Sequence, residues 1–177
     1  MQYSNALGRP PSTSDVDCTV KYTVPEDMGV DIGANVLDAS VQIFMIIERV
    51  VVEVYSRKRI SLRIADYVSR QLKNWASTWL RRLSDLTITR PSRQAVVGAC
   101  SNLCSYYYGI MLLTRPFLIY ELYEYMGASL KSRGTQSDHQ EKRKYADAAI
   151  DAASTLVETL LALINADQLP RRMPLVV

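Results

Sequence analysis

Six apolar side chains, Ala65, Val68, Leu72, Trp75, Trp79 and Leu83, recur three or four residues apart. That spacing is one face of an α-helix. The opposite face carries Arg63, Asp66, Arg70, Lys73, Asn74 and Arg81. A helix so clearly one-sided needs other elements to cover its apolar stripe, and the rest of the chain offers further helices. Val36, Ile43, Phe44, Ile47, Val50, Val51 and Val54 predict a helix over 36–56, with Asn35 as N-cap and Asp38 as the third helical residue, where a carboxylate suits the helix dipole. The β-branched content would also allow a strand; the length and the interrupting Glu48-Arg49 and Glu53 favour helix. Ser61 caps the second helix, over 62–83. Arg90-Pro91 opens a third, with Pro91 near the first helical position and Val96, Cys100, Leu103, Tyr107, Ile110 and Thr114 on one face. Pro116 lacks an amide hydrogen, which predicts a kink or stop and then a shorter helix over 117–131. Beyond a polar linker, Ser137 and Gln140 form a capping-box pattern for a last helix reaching 166. Its expected apolar face is Tyr145, Ala149, Ala152, Ala153, Leu156, Leu160 and Ile164.

The fold class expected is all-α, an irregular multi-helix bundle with an extended N-terminal loop segment. Residues 1–34, punctuated by Gly8, Pro10, Pro11, Pro25, Gly29 and Gly33 and anchored by Leu7, Val16, Val20, Tyr22 and Val24, are expected to pack as a loop on the bundle. Residues 35–166 form the helical domain and 167–177 a disordered tail. The 177 residues suffice for one domain with a core, and 48% hydrophobic with 22% charged residues argues against a disordered chain.

The net charge of +3 is spread along the sequence, whereas a nucleic-acid binder concentrates positive charge on one face or arm. Cys18, Cys100 and Cys104 are odd in number and do not form a disulfide framework. With His139 as the only histidine, they fall short of the four ligands of a structural zinc site. Cys100 and Cys104, one helical turn apart, read as small buried apolar residues. The start of the chain lacks a secretory signal pattern. Residues 94–114 carry no charge and are long enough to cross a bilayer. Gln94, Ser101, Asn102, Ser105, Tyr106, Tyr107 and Tyr108 favour instead a helix buried in a bundle.

Catalytic patterns are not apparent: there is no phosphate-binding glycine loop and no Gly-x-Ser-x-Gly elbow, and the one histidine falls by a polar linker. Glu121 and Glu124 read as a solvated helix face. Trp75, Trp79, Tyr107 and Arg115 could line a ligand pocket, with core packing the competing reading. Arg9 and Arg115 each precede a proline, which restricts their backbone and can aim a guanidinium at a carboxylate. Asp15, Asp17 and Glu121 are the candidate partners, in structural ion pairs or in ligand recognition.

Leu7-Gly8-Arg9-Pro10-Pro11, then Asp15, Asp17-Cys18 and Pro25, resemble the Leu-Gly-Arg-Pro and Asp-x-Asp-Cys segment of the fungal-specific transcription factor domain, the middle homology region of fungal binuclear zinc-cluster regulators. Later blocks come in that family's order: Val54-Tyr55-Ser56, Leu72-x-x-Trp75, Leu112-Leu113-Thr114-Arg115-Pro116-Phe117-Leu118 and Tyr145-Ala146-Asp147-Ala148-Ala149. The resemblance covers most of residues 3–166. It implies an all-helical fold, residence in the nucleus and regulation of transcription by RNA polymerase II through coregulators or the rest of the factor, with a small-molecule effector in some members. Leu7, Gly8, Arg9, Pro10, Asp15, Asp17, Leu113, Arg115, Pro116, Phe117 and Leu118 carry the family motifs.

The chain departs from the pattern in having no six-cysteine cluster. Zinc and DNA binding therefore map onto no residue here, and both are expected only in a separate zinc-cluster module. The expectation is a non-enzymatic regulatory part: a fragment, a truncated product or a stand-alone relative, prone to self-association. A stand-alone helical small-molecule sensor or scaffold is the alternative, and an unrecognised enzyme the third reading.

Overall fold

The computed structural model describes residues 32–56, 61–126 and 136–165, with side chains of the last segment described from His139 onward. The expected N-terminal loop with Leu7, Gly8, Arg9, Pro10, Asp15, Asp17 and Cys18, and the tail, lie outside the described residues. Within them there are four helices and no strand: α1 (Ile32–Val50), widening into a π-helical turn over Val51–Ser56, α2 (Leu62–Thr89), α3 (Arg93–Tyr125) and α4 (Gln136–Asn165). The protein is an all-α multi-helix bundle.

The middle helix organises it, since α1, α2 and α4 all pack on α3. A Cβ built on Gly98 would stand 2.6 Å from Val36 Cγ1, and one on Gly109 3.3 Å from Ile47 Cγ1. The missing side chains let α1 approach closely, and the two pairings set α1 parallel to α3. Antiparallel α2 is marked by Trp75 stacked on Tyr106, with ring centroids 5.2 Å apart, and by Leu72 Cδ2 standing 3.5 Å from a Cβ built on Gly109. Antiparallel α4 is marked by Phe117 on Tyr145 at 4.9 Å and by Leu163 clustered with Val96 and Cys100. The main core joins Ile43, Ile47 and Val50 of α1, Val68, Leu72, Trp75 and Trp79 of α2, and Ala99, Leu103, Leu113 and Phe117 of α3. Each of the larger side chains among them contributes about 2 kcal/mol by leaving water.

Several boundaries differ from the sequence expectation. Helix α1 already runs at Ile32, so Asn35 lies inside it and Asp38 is past the first turn. Helix α2 extends to Thr89 and stops where Arg90 turns left-handed (φ 52°), its amide donating to the Leu86 carbonyl. Ser61 sits at the N-cap of α2 but makes no side-chain capping bond. The cap of α3 is Ser92, whose Oγ accepts from the Ala95 amide at 3.1 Å; Pro91 therefore stands before the helix. Helix α4 begins at Gln136, which places Ser137 within its first turn.

The largest correction concerns Pro116. Helix α3 does not stop there and absorbs the expected separate helix, running on to Tyr125. Proline removes the amide that would donate to the carbonyl four residues back, here Leu112. The Tyr55 hydroxyl, from the π-helical turn, donates to that carbonyl at 2.8 Å. Leu113 and Phe117, on either side of the proline, are both buried, so apolar packing continues across the site.

Helix α3 is long and apolar enough to cross a membrane by length and composition. Here it is the central helix of the bundle. Its Asn102 is buried and donates through Nδ2 to the Val36 carbonyl at 2.8 Å.

Candidate functional site

The residues proposed as a pocket from sequence are not brought together as one. Trp75 and Trp79 are core side chains. Trp75 Nε1 donates to the Ala39 carbonyl at 3.0 Å and Trp79 Nε1 to Gln42 Oε1 at 2.9 Å, which satisfies both indole donors. Tyr107 meets Tyr106 edge-on, with centroids 5.2 Å apart. Arg115 is exposed, two turns farther along α3. Packing therefore claims the tryptophans. Nor does Arg115 pair with Glu121. In one continuous helix, positions six apart are roughly 120° apart around the axis, so the two side chains diverge. Arg9, Asp15 and Asp17 lie outside the described residues. Leu113, Phe117 and Thr114 are buried; Leu118 is half-buried and lines a groove against α4.

A different concavity forms where α2, α3 and α4 converge, with a volume of about 750 Å³. Its apolar lining includes Leu72, Tyr106, Ile110, Leu113 and Tyr145; Arg63, Lys73 and Lys144 stand on it with Asp66 and Glu141. Asp66 also pairs with Arg70 at 3.2 Å. Burial raises the Tyr145 hydroxyl, opposed by a hydrogen bond with Ser69, and burial raises Tyr106 as well. Both phenols thus stay neutral and amphipathic at ordinary pH. This lining contains neither His nor Cys. Its chemistry is that of a surface accepting an apolar body with a polar end, held by packing and a mixed charged rim. Leu72, Ile110, Thr114 and Tyr145 are legible in the sequence as helix-face residues. The groove itself is not legible there, because it depends on how three helices diverge.

Cys100 and Cys104 are buried free thiols. Burial pushes Cys100 up to about 11, with the neighbouring Cys104 adding to the rise, and burial raises Cys104. Neutral thiols pack as small apolar groups. Among the described residues no three His, Cys, Asp or Glu side chains gather as a metal set. His139 belongs to α4, not to the linker, and sits 6.4 Å from the Tyr120 ring.

Comparisons with family models, with curated proteins and with solved structures find no match to this chain.

Proposed function

We propose that the chain is a regulatory, partner-binding helical segment of the kind that makes up the middle homology region of fungal zinc-cluster transcription factors. In this reading it acts in the nucleus on transcription by RNA polymerase II, and DNA is contacted only by a separate zinc-cluster module. The observation that carries it is the place of the Leu112–Leu118 block, the most extended of the family-like motifs. Leu113, Thr114 and Phe117 are buried in the helix on which all the others pack. The Pro116 that interrupts the block is accommodated by Tyr55, from the Val54-Tyr55-Ser56 block. Two motifs of the resemblance thus meet in one structural unit. The test is to tether the full chain to an unrelated DNA-binding module upstream of a polymerase II reporter in fungal cells. A reproducible rise or fall in transcription against the untethered module supports the reading; an unchanged reporter with the fusion present in the nucleus overturns it.

The groove between α2, α3 and α4 favours a second reading, a helical sensor of small amphipathic molecules. Tyr106, on its wall, stacks on Trp75, so occupancy would alter tryptophan emission. A panel of amphipathic carboxylates and amines that leaves the emission unchanged counts against it.

A further inference from the structure

The outer face of α4 has a regular order that the bundle does not use. Asp147, Ile150, Ser154, Val157, Leu161 and Ile164 follow one another by three, four, three, four and three residues, and all six are exposed. Ile150, Val157, Leu161 and Ile164 are each exposed by half or slightly more, at 55%, 54%, 50% and 55%. On a helix these four lie within about 60° of arc. They form the seam by which one helix packs along another, while Ala146, Ala149, Ala152 and Leu163 face into the bundle. At its N-terminal end the seam meets exposed Leu122 and Tyr125 of α3 across a groove lined by all three residues, Ile150 included.

Charge identifies the occupant. Between Tyr145 and Asn165 there is no lysine or arginine. Asp147, Asp151 and Glu158 are exposed and run along one edge of the seam, within about 40° of arc. A second copy suits this edge poorly. In an antiparallel pair, the register that seats Ile150 against Leu161 brings Asp151 beside Glu158. The register that brings Lys144 beside Glu158 seats Asp147 against Val157 and Leu161 against Arg143. A parallel pair sets Asp147 against Asp147. Each arrangement buries or adjoins unmatched charge, which is costly. We propose that the outer face of α4 docks an amphipathic helix of another protein, one whose apolar seam is flanked by lysine or arginine. This rests on α4 and its junction with α3 alone and stands or falls independently of the transcriptional reading.

The experiment uses the full chain and two designed helical peptides with the same leucine and isoleucine seam, one flanked by lysine and one by glutamate. Labelled peptide is titrated and anisotropy followed, with light scattering of the chain alone. The lysine-flanked peptide is expected to bind with one-to-one stoichiometry, and the glutamate-flanked peptide at least roughly tenfold more weakly. Val157→Asp should abolish binding, and Asp151→Lys with Glu158→Lys should invert the preference. All these positions are exposed, so far-UV dichroism should be unchanged. Equal affinity for both peptides, binding that survives Val157→Asp, or a stoichiometric dimer of the chain that Val157→Asp dissolves would each overturn the proposal.

Discussion

The Tyr55 hydroxyl donates a 2.8 Å hydrogen bond to the Leu112 carbonyl, the acceptor that Pro116 leaves without its helical partner. The two residues should therefore be coupled. Tyr55→Phe is expected to cost about 1–2 kcal/mol, because a half-buried carbonyl loses its donor. In a Pro116→Ala background the restored amide satisfies Leu112, and the same substitution should cost less than half as much. Urea unfolding of the four chains of this cycle measures the difference; equal costs in both backgrounds would mean that Tyr55 acts only through packing.

Gly98 tests the close approach of α1 to α3. Alanine is the better helix former by about 1 kcal/mol. Here, however, its methyl would meet Val36 Cγ1 at 2.6 Å. Gly98→Ala should therefore destabilise by about 1–3 kcal/mol, the usual cost of overpacking. Adding Val36→Ala should recover most of the loss. Thermal unfolding of the single and double variants decides it: a more stable Gly98→Ala would show that the approach relaxes freely.

Trp79 is 1% exposed and hydrogen-bonded to Gln42. Trp79→Ala should cost about 3–5 kcal/mol, while Arg115→Ala, at an exposed position without a Glu121 pair, should stay within about 0.5 kcal/mol. Arg115 stands close enough to Tyr55 to act on its hydroxyl, so a large loss of stability for Arg115→Ala, read from denaturant midpoints, would place its role in that contact.

Stability should fall on the alkaline side. Burial raises Cys100 from its ordinary 9.0 to about 11 and also raises Cys104, Tyr55, Tyr106, Tyr107 and Tyr145. The unfolded chain releases these protons at lower pH than the folded one. For Cys100 the contribution is whole below pH 9.0 and is lost as pH rises through about 11. In that window the unfolded state binds fewer protons, so stability declines with pH. The urea midpoint should be lower at pH about 10.5 than at about 8, with part of the difference removed by Cys100→Ala.

The periodic helices were legible where one face alone was apolar. The six-residue stripe of α2 is buried at every position named for it. What escaped depended on partners distant in sequence. Pro116 reads as a breaker until Tyr55 is placed beside Leu112. The tryptophans suggest a pocket until Ala39 and Gln42 take their indole hydrogens. For α4, the periodicity places Ile164 on the core face, yet it is exposed and Leu163 is buried. Over five turns the contact line with α3 drifts around the helix, and a fixed list of apolar positions does not follow it. That same excess of apolar residues hid the outer seam, because a helix apolar on two sides offers no contrast to read.

The uncharged run of α3 bears on how the chain can be divided. Residues 94–114 hold no ionised side chain, and α1, α2 and α4 all pack on the helix that contains them. A protease cut that released α1 or α2 would bare the apolar face of α3 that the lost helix covered, and such pieces should precipitate instead of persisting as stable subdomains. Limited digestion should accordingly yield either the joined α1–α4 body or insoluble material, with no soluble product containing α3 alone.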